Sequence, residues 1–391
     1  MELAFHLPIN SVSFGQASLA ILREAFRRGL EPYVFPVGEV DLSAQKDDKD
    51  FNAWLKTCLE KAVKSHDRKT PIFKLWHLNG SLESYSEKQV LLTYYELDAP
   101  TEYELNIAKN NSKILFSSQY SCDIFSNNGV QSEFIPLGFD THNFYPTNKK
   151  YFQDKRITFN LVGKFEKRKH HQRILKLWAD KYGDDRRYFL NCALYNHFFK
   201  PEENISLVSQ TLNNKRYFNI NLLGYMPKNE LYNDYLNAAD VVIGMSGGEG
   251  WGLPEFQSVC LGKHAIILDC NGYKSWANEK NSILVQPSGK TSAVDGKFFT
   301  SGGPFNQGDI FDFKDEDFLK ACDDAIKAVE KNPLNQEGLK TASEFKYSET
   351  LDHILNHLES VSKKSLSGCP KVVKKNTKKR GAAKKKASQK T

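Results

Sequence analysis

Apolar positions along the chain switch repeatedly between a period of two and a period near 3.6, which predicts alternating strands and helices. An apolar run at 1–8 leads into the polar stretch NSVSFGQAS. Ala17, Ala20, Ile21, Ala25 and Phe26 then fall at helical spacing from Gln16 onward, and Gly29 ends the run as a C-cap would. With a second strand at 32–37, this opening reads as a βαβ unit, the building block of a doubly wound parallel sheet. A charged outer helix is expected within 40–70, around Phe51, Trp54, Leu55 and Leu59. Further strands are expected at 71–78, 90–95, 114–117 and 134–136, with Gly129 closing a helix between the last two. Beyond the polar run 147–150 a second series begins, with strands at 157–162, 188–194, 218–223, 241–245, 264–268 and 283–285. Helices are expected at 231–239, from near Pro254, at 315–329 and at 348–361. The glycine-bearing, aromatic stretch 286–314 has no clear period and is expected to be a long functional loop making acceptor or domain-interface contacts.

Length supports this division, because 391 residues are comfortable for two domains and long for one. The expected boundaries are 1–148, 149–347, a terminal helix at 348–361 that crosses back to the first domain, and a Lys-rich tail at 362–391. Charge is divided the same way. The net +7 arises from the tail, which holds 12 Lys or Arg and no acid, leaving 42 basic and 47 acidic residues, or −5, in 1–361. A nucleic-acid-binding body is therefore not implied; the tail alone has the composition of disorder and of a basic segment for nucleic acid, an anionic surface or nuclear import, or simply for solubility. Seven scattered cysteines without a Cys-x-x-Cys pair suggest neither a disulfide framework nor a zinc site. The opening MELAFHLPIN lacks the form of a signal peptide, and there is no apolar run long enough to span a bilayer. A soluble protein of a reducing, cytoplasmic compartment is expected, with peripheral membrane or nuclear association possible through the tail.

The densest chemical signal is DVVIGMSGGEGWGLPEFQSVCLGKHAIIL at 240–268. It reads as strand, glycine-rich turn, helix and strand. Pro254 suits a first helical turn, where its missing N–H has no partner to lose. Glu249 stands among glycines that let backbone approach a ligand closely, and the helix start behind it favours an anion. Upstream, GKFEKRKHH brings Gly163, Lys164, Arg168 and Lys169 from the end of the 157–162 strand to the start of a further helix. His77, Glu96 and Asp98 likewise follow strand ends, where open α/β sheets bind ligands; the alternative for His77 is a structural histidine, and for Glu96 and Asp98 the solvation of a turn. Asp315 and Asp317 have the Asp-x-Asp form of some metal sites, but acids at a helix start need no metal to explain them.

The string EGWGLPEF followed by LGK and an apolar strand resembles the donor-site signature of retaining family 4 glycosyltransferases. The run NNGV…IPLGFDTHNFYP resembles the same family's crossing between domains. The resemblance implies a GT-B arrangement: two Rossmann-like doubly wound domains facing across a cleft. It implies transfer of a sugar from a nucleotide-sugar donor to an acceptor hydroxyl with retention and without a bound metal or other cofactor. On that resemblance Glu249 orients the donor sugar, while Gly163, Lys164, Arg168 and Lys169 hold the diphosphate, whose leaving oxygen gains charge as the sugar bond breaks. Gly250, Trp251, Gly252 and Leu253 meet the donor through the turn and helix start. Gln257 stands where the family has a ribose-binding glutamate, and an amide can still donate and accept hydrogen bonds. Trp251 replaces a phenylalanine. Glu96 takes the place of a histidine facing the anomeric centre. Gly15 and Gln16, in the first loop, become cleft candidates with His77 and Asp98.

Two other classes remain open. The changes at Gln257 and Glu96 suit a weak or inactive nucleotide-sugar or glycan-binding module of the same fold. The tail suits an interaction protein with the body as scaffold. The donor's base and sugar, the glycan, lipid or protein acceptor, and the oligomeric state are not readable from motifs.

Overall fold

The computed structural model describes residues 2–363 of the chain. The rest of the Lys-rich tail, and the expectation of disorder there, lie outside the described residues. Two parallel six-stranded sheets form the body. The first contains β1 (Ala4–Leu7), β2 (Tyr33–Pro36), β3 (Ile72–Leu75), β4 (Gln89–Thr93), β5 (Lys113–Phe116) and β6 (Ser132–Phe134), in the order β2-β1-β3-β4-β5-β6. The second contains β7 (Ile157–Val162), β8 (Tyr188–Ala193), β9 (Ile220–Leu222), β10 (Val241–Gly244), β11 (His264–Leu268) and β12 (Ile283–Val285), in the order β12-β11-β10-β7-β8-β9. The central strands β4, β7 and β10 are buried along their whole length, as parallel strands covered by helices on both faces must be.

The covering helices in chain order begin with α1 (Ser13–Arg27), α2 (Lys49–Ser65), α3 (Glu102–Lys109), α4 (Gln119–Asn127), α5 (His171–Tyr182) and α6 (Pro201–Thr211). They continue with α7 (Asn229–Ala238), α8 (Leu253–Cys260), α9 (Asp315–Lys331), α10 (Gln336–Glu344) and α11 (Tyr347–Lys363). Three of these, α3, α6 and α10, were not expected from periodicity. Each is 11 residues or shorter, too brief for a repeating stripe to stand out. Their starts were nevertheless written locally: Thr101 and Glu104 form a reciprocal capping box, Pro201 opens α6, and the Asn335 side chain caps α10 at the Gly338 N–H. The strand expected at 134–136 lies two residues earlier, at β6.

The last helix returns to the first sheet. Leu351, Ile354 and Leu358 of α11 are fully buried beside α1, each such burial contributing roughly 1.5–3 kcal/mol. The Phe139 N–H bonds to the Phe345 carbonyl at 2.9 Å, and the Thr350 hydroxyl donates to the Pro136 carbonyl at 2.9 Å, so the crossing segment and the return helix are tied together. A side chain at Gly138 would overlap the Tyr347 backbone nitrogen.

The stretch expected as a loop at 286–314 is instead organised by an antiparallel hairpin, β13 (Gly289–Ser292) and β14 (Asp309–Asp312). Its register is short and its strands are largely exposed, so neither length nor hydrophobic alternation announced it. The expectation of domain-interface contacts has a concrete counterpart here. The Asp98 carboxylate accepts the Asp309 N–H at 2.8 Å and pairs with Lys290 at 2.7 Å. Thr101 donates to the Pro304 carbonyl, and buried Glu104 accepts the Asn306 N–H at 2.9 Å. Ala293, Phe299 and Ile310 complete an apolar cluster with Leu91, Tyr95 and Leu97. The hairpin is a strap from the second sheet's side to the first.

Two outcomes follow. Gly138→Ala should lower stability by about 1–3 kcal/mol through overpacking against α11, seen as a lower melting temperature, while Gly224→Ala, with open space at its Cα, should be near neutral. Asp98→Ala should raise amide exchange across 290–312 while leaving β7 and β10 protected.

Candidate active site

In the second sheet the strand order reverses between β7 and β10, and the crevice beyond their carboxyl ends is where doubly wound sheets bind ligands. Both sequence motifs emerge there. After β7, Gly163 adopts φ +121°, and a Cβ on it would come within 3.3 Å of the Lys169 side chain, so the glycine leaves room for that lysine to fold back. A 3-10 turn at Lys167–Lys169 and left-handed His170 then lead into α5. After β10, the turn at 247–252 is held by the Gly247 N–H on the Arg168 carbonyl (2.8 Å) and by the Phe311 N–H on the Gly247 carbonyl (2.9 Å). Gly252, at φ +82°, is the N-cap of α8, where any side chain would be strained and would overlap the Tyr273 ring.

The two loops join through buried charge. Glu249 is only 6% exposed; its Oε1 contacts the Lys169 ammonium and accepts from Arg168 at 3.0 Å. Arg168 also pairs with Glu166 at 3.0 Å, donates to the Gly248 carbonyl, and reaches Glu96 of the first domain at 3.2 Å. A planar guanidinium with five donors suits three carboxylates and a carbonyl as no lysine could. Burial alone would raise the pKa of Glu249, but Lys169 and then Arg168 overcome it and hold the carboxyl down at about 2. Glu96 is raised, chiefly by burial, with Glu249 and Glu166 adding to this and Arg168 opposing it. For Arg168, burial is outweighed by Glu96, Glu249 and Glu166, and its pKa rises. Removing one member of such a cluster would leave an uncompensated buried charge costing about 3–5 kcal/mol.

Lys164 is more open: its ammonium lies 3.4 Å from Glu166 and 5.4 Å above the exposed Phe198 ring. His77 faces the same space, with its ring 4.5 Å from Phe14; the surrounding protein, and secondarily Lys164, lower its pKa to about 4, so it is neutral near pH 7. Gln257 is buried and turned across the cleft, its amide nitrogen 3.4 Å from the Gln16 side-chain oxygen, while its own oxygen has no hydrogen-bond partner.

The first domain presses closely on the turn. A Cβ at Gly250 would lie 2.7 Å from the Tyr94 side chain, and one at Gly248 would lie 2.9 Å from the Glu96 carbonyl oxygen. Ser117 donates to the Gly250 carbonyl at 3.0 Å. The glycines here admit backbone and side chains of the opposing domain.

Several sequence candidates sit elsewhere than expected. Gly15 is not in the loop but in the first turn of α1, where a side chain would overlap Asn10; the helix begins at Ser13, three residues before the periodic apolar positions reveal it. The Trp251 ring is 2% exposed and packs on Phe256 and Phe345, so only its backbone can face the cleft. Leu253 is the partly buried first residue of α8. Asp98 spends both carboxylate oxygens on the strap. Sequence reasoning passed over Glu166, which lies among the cations of GKFEKRK and partners two of them. It also passed over Glu255 and Tyr273, both fully enclosed beside the cluster and both with an oxygen lacking a hydrogen-bond partner. Among the described residues no three His, Cys, Asp or Glu side chains converge to hold a metal ion, and no helix is long and apolar enough to cross a membrane.

No protein-family model matches the chain, and no curated protein matches it at the sequence level. Solved structures do. Sucrose-phosphate synthase from Thermosynechococcus elongatus aligns with a TM-score of 0.62 at 13% identity, over 92% of this chain and 99% of that one. HepE of Anabaena, in complex with UDP and glucose, aligns with a TM-score of 0.61 at 15% identity, over 92% of this chain and 100% of that one. A glycosyltransferase from Rickettsia africae aligns with a TM-score of 0.63 at 12% identity, over 93% and 99%. Together with the two facing parallel sheets, these alignments show that the chain has the GT-B fold.

Proposed function

We propose that this protein is a retaining, metal-independent glycosyltransferase that uses a UDP-sugar donor. The observation that carries the reading is the buried contact of Glu249 with Lys169 and Arg168 at the switch point of the second sheet. A carboxylate able to accept from sugar hydroxyls and two cations able to hold a diphosphate stand side by side. The UDP and UDP-glucose complexes of HepE support the donor class.

As the bond between the anomeric carbon and the β-phosphate oxygen breaks, its electron pair stays on the phosphate. Lys164, Arg168 and Lys169 then stabilise charge that is larger in the transition state than in the ground state, the task a metal would otherwise perform. Once the diphosphate draws Lys169 and Arg168 to itself, the Glu249 carboxylate is released to accept hydrogen bonds from the sugar. Glu96, on the first domain, loses part of its hold on Arg168 and faces the reacting carbon. Gln257 serves the ribose, in company with Gln16. Arg168, Lys169 and Glu249 are nearly solvent-free, so the two domains must part for the donor to reach them. The acceptor hydroxyl approaches from the first domain's side, past His77. The tail has no part in this chemistry, so deletion of 364–391 should leave turnover intact.

The test is UDP release from a panel of UDP-sugars with EDTA present. Release should persist in EDTA and should fall about 100-fold or more in Glu249→Ala and in Lys169→Ala. Thermal stabilisation by a UDP-sugar without release, with acceptors supplied, would instead favour a binding module, the reading that Gln257 in place of a glutamate would suit.

A further inference from the structure

Four carboxylates face three cations at the site: Glu166, Glu249 and Glu255 with Arg168 and Lys169 are buried, while Glu96 and Lys164 stand at its partly exposed edge. Glu96, Glu166 and Glu249 each have a cation within ion-pair distance. Among the described residues Glu255 has none. Its side chain is 2% exposed, one oxygen has no hydrogen-bond partner, and it extends from the first turn of α8 over Gly244 of β10, where any Cβ would come within 2.6 Å of the Glu255 Cγ. The charged and titratable groups that face it are Lys169 ahead of α5, Glu249 in the 247–252 turn, Tyr273 in the turn after β11 and Tyr232 of α7. Lys169 is already committed to Glu249, and the Tyr273 hydroxyl faces the Glu255 carboxyl.

The fully ionised set thus carries an excess of negative charge before any donor arrives, and a diphosphate adds more to the same low-dielectric space. It also competes for Lys169, the cation that faces Glu255. The cheapest response of a buried acid under such a load is to take a proton.

Resting on the donor-site reading above, we propose that Glu255 is the proton acceptor of the donor site: binding of the nucleotide-sugar diphosphate is coupled to uptake of a proton from solvent onto the free oxygen of Glu255. Protonated, Glu255 is neutral and becomes a hydrogen-bond donor toward the Tyr273 oxygen. Glu249 stays ionised for the sugar, because hydrogen bonds from the sugar hydroxyls replace its cations as these turn to the diphosphate. Burial, with Glu249 adding and Lys169 opposing, sets the Glu255 pKa at about 7, so the free acid is partly ionised at neutral pH and has a proton site to fill. Glu255 is a positioning residue here: it touches neither phosphate nor sugar and acts through Lys169.

The experiment is titration calorimetry of the full chain with UDP-glucose, whose diphosphate diester does not itself titrate near neutrality, in phosphate and Tris buffers of different ionisation heat. Near pH 7.5 the wild type should take up about 0.4–0.8 proton per donor bound, and its affinity should weaken by up to about tenfold per unit as pH rises above about 7. Glu255→Gln should still bind UDP-glucose, with uptake below about 0.1 proton and a flat pH profile; Glu96→Gln should keep the uptake. Binding by the wild type without uptake overturns the proposal whether or not the Glu255 variant folds. Uptake that survives Glu255→Gln, or disappears in Glu96→Gln, also overturns it. Absence of UDP-glucose binding at any pH overturns the UDP-sugar assignment and this proposal together, whereas binding without proton uptake overturns this proposal alone.

Discussion

The cost of burying charge governs this molecule. Arg168 and Lys169 are almost fully removed from water, and neither could remain there without the carboxylates of Glu249, Glu166 and Glu96 around them. The pairing is made across three chain segments and two domains, so it constrains more than itself. It ties the loops after β7 and β10 to each other and to Glu96 of the first domain, and places a carboxylate beside two cations where an anionic ligand can exchange with it. A cluster whose members can be repaired by a ligand is poised for binding in a way that an apolar contact is not.

The surrounding fold makes the exchange local. Strand reversal between β7 and β10 opens the crevice, glycines at 163, 248, 250 and 252 let side chains and the opposing backbone close over it, and the strap at 286–314 anchors one side of the interface through Asp98 and Glu104. α11, bound to the first domain, carries the end of the described chain back past the cleft. A UDP-sugar reaching the cluster would meet a site whose hydrogen-bond donors and acceptors are already oriented, with Gln257, Tyr273 and Glu255 each holding an unpartnered oxygen nearby.

Much of this was legible in the sequence, because parallel strands buried on both faces are short apolar runs with little ambiguity. β7, β11 and β12 coincide with the runs that predicted them. The motif residues Glu249, Arg168 and Lys169 were recognisable as site candidates, and the fold brings them into contact. What stayed hidden has physical reasons. Short helices such as α3 carry their signal in a cap rather than a stripe. The β13–β14 hairpin is stabilised by contacts with residues far away in the first domain, such as Asp98, which no local pattern encodes. The Trp251 ring belongs to the core and leaves only backbone for the cleft, because a motif does not reveal which way a ring turns. The role of Asp98 depended on a partner, Lys290, that linear reading could not supply.

The central claim, that the Glu249, Arg168 and Lys169 cluster is a donor site, is tested most directly by a crystal structure of the protein with UDP-glucose. The account predicts the diphosphate bound at the β7 and β10 loop ends, with Lys169 and Arg168 turned onto its oxygens and the Glu249 carboxylate hydrogen-bonded to glucose hydroxyls. A nucleotide bound at another place, or one bound in the cleft with the Lys169 to Glu249 contact unbroken and no cation on its phosphates, would contradict it.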